Sequence, residues 1–489
     1  MNIREALQKL DFGNSVAEYD KGLQNYFLVT QAYTAFINDD ADLIAGDKGT
    51  GKTAIFQQVR RNYVNEPAMS AIGIVTGFNL AGEPLFRKLG SEPILQEAQY
   101  ISIWKMYILS LIGNWLLNLS KIPRTASTQK LEALLASLGL RTEEEGASPI
   151  FSKVIDWALR LRPKVELSPD PTNPIGFRTS VEFYQAQSKN EPSNPEEISH
   201  SQALSLLNKL LVEQKKTAWV VIDRLDEAFI GFPAIEKPVL RALLRTYLDL
   251  MEFDHIRLKL FVRKDLFRKI IEDGFVNLTH VNARKHEILW DDEDLLALFA
   301  QRVRSSQAFV QMFGIVNASD RELFQLILPE KIDAGKNRPN TWSWLLGQIR
   351  DGNGVKSPRN LVDLMRLAQE EQLRREQRSP RKYTADTPMI EMESLRKALA
   401  RLSQRRVEDT LLAEYGSDVR SAIQAFKNGR SDHTETSLGI LFGVDEHQAR
   451  LIAEVLNEIG FLEQDGTIFK VPDLYRAGLN ITNGKAPKS

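Results

Sequence analysis

The sequence predicts an α/β protein with a parallel sheet, a helical insertion, a helical lid and a C-terminal winged helix. Three observations carry that prediction. A glycine-rich turn joins an apolar strand to a helix at residues 42–55, and a second apolar strand closes on carboxylates at 217–227. A helix-turn-helix pattern followed by a hairpin occupies residues 437–471.

The first of these reads Asp42-Leu43-Ile44-Ala45-Gly46-Asp47-Lys48-Gly49-Thr50-Gly51-Lys52-Thr53-Ala54-Ile55, which fills G-x-x-x-x-G-K-[ST] in full. A phosphate chain is bound mainly by backbone N–H groups, which must approach without Cβ atoms in the way. Gly46, Gly49 and Gly51 let the loop curl, and the helix opening near Lys52 offers free N–H groups and its positive end. Lys52 is placed to reach the β/γ oxygens, and the Thr53 hydroxyl to face Mg²⁺. The nucleotide-binding set is therefore Gly46, Asp47, Lys48, Gly49, Thr50, Gly51, Lys52, Thr53 and Ala54. ATP and Mg²⁺ are the expected ligands.

Composition fits a large protein without a dominant field. The chain has 489 residues, a formal charge of −1 and a charged fraction of 26%, so contact with nucleic acid or membrane would have to be local. The absence of cysteine excludes disulfides, thiolate metal sites and a cysteine nucleophile, and is compatible with the cytoplasm. No apolar signal core follows Met1. The most apolar run, residues 101–119, is interrupted by Lys105, Gly113 and Asn114 and reads as a buried helix rather than a membrane span.

Taken in order, residues 22–38 predict a helix through Leu23, Phe27, Leu28, Ala32, Tyr33 and Phe36. Residues 70–76 predict a second buried strand, completing a first βαβ unit. Apolar faces at 100–119, 129–138 and 151–161 predict a helical insertion, and the proline-rich stretch 164–197 a mobile loop. The run Thr217-Ala218-Trp219-Val220-Val221-Ile222-Asp223 then places Asp223 at the carboxyl end of a central parallel strand, where the Mg²⁺ shell needs an acid. Asp226 or Glu227 is the candidate to orient the attacking water. After a helix over 238–253, the strand-like run 256–265 carries Arg263 at its carboxyl end, which either senses the γ-phosphate or the attacking water or pairs with Asp265. Ser357-Pro358 opens a helix with Ser as cap and Pro at its first position. Arg359 in that first turn opposes the helix dipole, which points to a phosphate ligand or to an ion pair with an acid.

These segments, with the run Glu287-Ile288-Leu289-Trp290 leading to Leu295, Leu296, Leu298 and Arg302, resemble the AAA+/STAND division of P-loop ATPases. Within it the chain is similar to bacterial ATPases related to origin-recognition proteins, several of which occur in anti-phage defence loci. The resemblance implies an ATP-hydrolysing P-loop NTPase core over 1–290 with an insertion at about 81–215. It also implies a helical lid over 291–385 and a winged-helix-like domain over 386–489. Arg263 takes the sensor-1 position and Arg359 the sensor-2 position. The Asp-x-Leu-Asp-Glu form of the acid strand is closer to STAND proteins and leaves the catalytic acid open between Asp226 and Glu227. Arg268 and Arg284 are candidates for an arginine finger, or merely face solvent.

The family would make the winged helix a DNA reader, but its own charges oppose this. Residues 408–476 carry thirteen Asp or Glu against six Lys or Arg, and a groove-binding helix should not bring that charge to phosphates. Two partner classes stay open. One is a protein partner or homo-oligomer assembled by an ATP switch. The other is duplex DNA, bound through Arg374, Arg375, Arg378, Arg381 and Lys382 together with Arg396, Lys397, Arg401, Arg405 and Arg406. The six histidines show no metal spacing.

Overall fold

The structure, a computed structural model, describes residues 2–77, 95–119, 122–143, 146–160, 164–169, 177–182, 199–225, 233–333, 339–384 and 387–486. The chain packs as two compact units. One comprises residues 30–46 and 55–288, the other residues 1–29, 47–54 and 289–489.

The first unit is an α/β sheet domain. Its strands are β1 (Leu43–Gly46), β2 (Ile72–Thr76), a ribbon of β3 (Lys164–Pro169) and β4 (Phe177–Glu182), then β5 (Thr217–Ile222), β6 (Ile256–Arg263) and β7 (Lys285–Glu287). Five of them form one sheet in the order β2-β5-β6-β1-β7, with every pairing parallel. β5 and β6 therefore lie between the two strands of the expected first βαβ unit. β1 and β5 are buried almost throughout, as parallel strands covered on both faces must be. Phe36, on the helix Gln31–Ile37, stacks on Phe261 at 5.4 Å and meets Trp219 edge-on at 5.5 Å.

The apolar run of the insertion is the helix Glu97–Leu117, buried along most of its length. Each of its polar interruptions has a physical reason. Lys105 pairs with Asp249 at 2.6 Å, and Trp104 Nε1 donates to the Val239 carbonyl at 2.9 Å. Gly113 admits Leu135, whose Cδ1 would stand 2.9 Å from any Cβ there. The Asn114 side chain donates to the Leu140 carbonyl and accepts from the Thr142 N–H, closing the turn after the next helix. Among the described residues no helix is long and apolar enough to cross a membrane.

Several boundaries differ from the sequence reading. The helix expected over 22–38 is a 3-10 turn, Leu23–Asn25, and a separate helix capped by Thr30. The helix expected from 238 begins at Pro233 and carries Pro238 inside. In the stretch expected to be a loop, β3 and β4 pair antiparallel with Lys164 opposite Glu182. The rest of 164–197 up to residue 198 lies outside the described residues.

The second unit is helical and ends in a small sheet. The N-terminal helix Ile3–Lys9 is held by Gln369, whose Nε2 donates to the Leu7 and Leu10 carbonyls at 2.6 Å. Helices Asp292–Ser305, Gln307–Phe313, Asp320–Ile327, Thr341–Gln348, Pro358–Arg378 and Met392–Arg405 follow. Buried Arg302 donates to the Phe12 carbonyl at 2.5 Å and lies over the Tyr26 ring at 4.4 Å. A π-helical turn, Arg406–Leu412, leads into helix Ser417–Ala425. The helix-turn-helix is Glu435–Phe442 and Glu446–Glu458, turned by Gly443 at φ +70°. Strands β8 (Arg430–His433), β9 (Glu463–Asp465), β10 (Ile468–Lys470) and β11 (Thr482–Lys485) form a sheet in the order β11-β8-β10-β9. β9 and β10 are the expected hairpin, with Gly466 at φ +63° in its turn; β8 and β11 were not read from the sequence. One apolar core runs through the helices and this domain, from Ile3 to Ile481.

Candidate functional site: a glycine-rich loop held within the helical unit

β1 ends at Gly46, and the helix Lys52–Asn62 starts six residues later. Between them Gly49 (φ +77°) and Gly51 (φ +105°) adopt backbone that side-chain-bearing residues rarely take. Lys52 lies back over this curl, its Nζ donating to the Asp47 carbonyl at 2.9 Å, and Thr50 Oγ1 donates to the same carbonyl at 2.8 Å. A loop of this shape turns backbone N–H groups inward and keeps an ammonium above them, which suits a phosphate chain.

Other segments of the same unit hold that loop. Ser357 Oγ donates to the Gly49 carbonyl at 3.0 Å, and the Arg359 N–H to the same oxygen at 3.4 Å. The approach requires glycine, since a Cβ on Gly49 would stand 2.4 Å from Ser357 Oγ and 3.0 Å from Arg359 Cβ. Trp290 Nε1 donates to the Thr50 carbonyl at 2.8 Å, and Lys48 forms an ion pair with Glu414, beyond the π-helical turn. Ser357, expected as a side-chain cap, makes no capping bond to its own helix; its hydroxyl serves the loop instead. Trp290 and Glu414 were missed by sequence reasoning. The only signal for Trp290 was an indole at the end of an apolar run just before an acid-capped helix.

The grip connects onward to the C-terminal domain. Arg406, in the π-helical turn, donates to Asn360 Oδ1 at 2.6 Å and pairs with Asp363. Arg350 makes a double bond-pair with Glu463 of β9, at 3.0 and 2.8 Å. The turn after Arg350 rests on Gly460, whose carbonyl accepts from the Gly352 N–H at 2.7 Å. In that turn burial, aided by the neighbouring Asp47 carboxylate, pushes the Asp351 carboxyl up to about 6, although the Val355 and Asn353 N–H groups bond to it. A raised carboxyl costs stability while ionised, so the cost is present above pH 6 and disappears below the ordinary carboxylate range. Asp351→Asn keeps an acceptor for both N–H groups. It is expected to raise the unfolding temperature at pH 8 by about 3 to 6 °C, with the difference closing between pH 7 and 4 in a thermal unfolding series.

The sheet unit holds the remaining candidates at the carboxyl ends of its strands. Arg263 is the register partner of Gly46, at the carboxyl end of β6. Its guanidinium clasps Asp265, Nε to Oδ1 at 3.0 Å and Nη2 to Oδ2 at 2.6 Å. Asp223 follows β5 and is 5% exposed, and Arg224 after it is left-handed at φ +58°. One strand, β6, separates the acid strand from β1. Asp226 and Glu227 lie outside the described residues. Arg268 is exposed. Arg284 bonds to Asp42 at 3.2 Å through Nη2 and to Asp39 at 3.1 Å, and Asp42 holds its guanidinium even more basic than usual; it belongs to an ion network at the amino end of β7 rather than facing solvent.

The basic tract considered for DNA is largely engaged within its own unit. Arg374 pairs with Glu371, Arg375 with Glu391, Arg381 with Glu376, Arg396 with Asp333, Lys397 with Glu393, Arg401 with Glu371, and Arg406 with Asp363. Seven of its ten cations would have to leave a carboxylate to reach a phosphate. Among the described residues no cluster of three His, Asp or Glu suits a metal ion.

Loop and sheet together define an α/β P-loop NTPase fold. No protein-family model matches the chain. Among curated proteins it is similar to the putative transposon gamma-delta 80.3 kDa protein of Escherichia coli K12, 23% identical over 306 residues. That alignment takes in 60% of this chain and 39% of that protein, so the chain spans about two fifths of its relative's length. Among solved structures it is similar to the Aeropyrum pernix ORC2 protein in ADPNP and ADP complexes, at 13% identity and TM-score 0.37, covering 94% of this chain and 97% of that one. The Aeropyrum pernix ORC1 protein in complex with DNA follows at 11% identity and TM-score 0.37, covering 95% and 96%. The Walker-type ATPase of Pyrococcus abyssi matches at 10% and 0.38, covering 96% and 98%.

Proposed function

We propose that this protein is a switch that binds and hydrolyses Mg·ATP and whose nucleotide state sets its assembly with a partner protein, in the manner of the defence ATPases its sequence resembles. The observation that supports this most directly is the grip on the glycine-rich loop. Carbonyls of Gly49 and Thr50 and the Lys48 ammonium are held by Ser357, Arg359, Trp290 and Glu414. A loop that reshapes around a phosphate chain must strain or release these bonds, and Arg406 and Arg350 carry the change into the C-terminal domain.

In this reading Lys52 and the loop N–H groups bind the phosphates, and Thr53, with Asp223 acting through water, would hold Mg²⁺. Asp226 or Glu227 takes a proton from the attacking water as the γ-phosphoryl group leaves ADP. Arg359, and Arg263 once it leaves Asp265, respond to the γ-phosphate. The second reading, an ATPase that loads or remodels complexes on duplex DNA, is weighed down by the ion pairs of the basic tract.

Glu414→Gln tests the grip. Its pair with Lys48 is about one-third exposed on each side, so the bond holding the loop is worth about 0.3 to 1 kcal/mol. Stopped-flow binding of a fluorescent ATP analogue is expected to run roughly two- to five-fold faster in the variant. An unchanged association rate would mean that the C-terminal domain does not restrain the loop.

A further inference from the structure

On the helix-turn-helix, the outer face of helix Glu446–Glu458 is apolar with an acidic border. Of the ten large hydrophobic side chains that stand exposed among the described residues, three fall here: Ile440 at 61%, Leu451 at 51% and Val455 at 43%. Leu451 and Val455 are one helical turn apart on Glu446–Glu458, opposite Ala449, Ala453 and Leu456, which face the core. They are therefore a second, outward apolar stripe on a helix whose inward stripe is already satisfied.

The charges around the stripe have one sign. Glu446, Glu454 and Glu458 stand exposed on the same helix. Its single arginine, Arg450, is closed off by Glu454 at 3.1 Å and Glu435 at 3.7 Å. In the hairpin Lys470 is taken by Asp465 at 2.7 Å. Such a surface repels a phosphate backbone and offers nothing to release counterions.

We propose that the outer face of helix Glu446–Glu458 docks a protein segment, an amphipathic helix with apolar residues one turn apart and lysine or arginine on its flanks. The apolar residues cover Leu451 and Val455, and the cations meet Glu454 and Glu458. This deepens the switch-and-partner reading and rests on it, since it names the chemistry of the partner.

The test uses the full chain and three fluorescent probes: a synthetic 18-residue amphipathic peptide with a leucine stripe and lysine flanks, the same peptide with glutamate for lysine, and a 30-base-pair DNA duplex. The proteins are the parent, the double variant Leu451→Ser/Val455→Ser and the charge reversal Glu454→Lys/Glu458→Lys. The proposal expects the lysine peptide to bind the parent and to bind the serine variant about ten-fold or more weakly. The charge reversal should exchange the preference, so that the glutamate peptide becomes the tighter ligand. Equal binding of the lysine peptide to parent and serine variant would overturn the proposal. So would duplex binding that the serine variant loses, or self-association of the parent in sedimentation that the serine variant abolishes. Fluorescent ATP is titrated into the same samples. Intact ATP binding with no peptide effect sinks the docking face alone, whereas lost ATP binding in the parent sinks the switch reading.

Discussion

Lys52→Ala is expected to lose Mg·ATP binding by about 100-fold, read by calorimetric titration, while the far-ultraviolet circular dichroism of the chain stays that of the parent. The Lys52 ammonium lies over the curled loop, and a charge-assisted bond to phosphate is worth about 1.5 to 3 kcal/mol. Its present partner is the Asp47 carbonyl at 2.9 Å, so truncation also removes a bond that shapes the loop. Lys52→Arg separates the two effects. If the charge alone matters, arginine restores much of the affinity; if loop shape matters, the larger guanidinium restores little. Paired with this, Glu227→Gln is expected to retain binding and lose hydrolysis. Hydrolysis at the parental rate would move the water-orienting role to Asp226 or remove it from this strand.

The loop, the acid strand and the helix-turn-helix were legible because each is a local pattern. Four residue types at fixed spacing specify a phosphate turn, and β-branched runs specify buried strands. What could not be read is where distant polar groups meet. Ser357 carries every local sign of a helix cap, and only its approach to Gly49, 308 residues away, shows its other use. Glu414 and Trp290 are ordinary residues in sequence, given meaning by a lysine and a carbonyl of the loop. The ion pairs of the basic tract were out of reach for the same reason, since Glu370, Glu371, Glu376, Glu391 and Glu393, which hold much of it, come from two helices and a linker. Strand order was also beyond local pattern. That β5 and β6 insert between β2 and β1 depends on crossovers, which the run of apolar residues does not encode.

Lys259→Ala is expected to destabilise the sheet unit by about 2 to 4 kcal/mol, because it removes one of the two cations that compensate the buried Asp42 carboxylate, leaving Arg284 alone, and opens a cavity. Lys259 is fully buried in β6 and bonds to the Ala41 carbonyl at 2.8 Å, to Asp42 at 2.8 Å and to Asp39, with the Trp219 ring 4.2 Å beneath it. Burial alone would push the Asp42 carboxyl up, yet Arg284 and Lys259 hold it below its ordinary value, and the Tyr247 hydroxyl donates to it at 3.0 Å. A depressed carboxyl contributes stability above its unfolded value and loses it as pH falls through the folded one. The penalty of the variant should therefore be full at pH 7 and shrink at the acid end, where Asp42 takes a proton in either protein. Hydrogen exchange read at the amides of Ile256–Arg263 measures the opening of this strand directly. The partner change decides the cause. If the loss comes from a stranded charge, Lys259→Met with Asp42→Asn recovers most of it; if it comes from lost packing over Trp219, Lys259→Met alone recovers as much, and the double variant adds nothing.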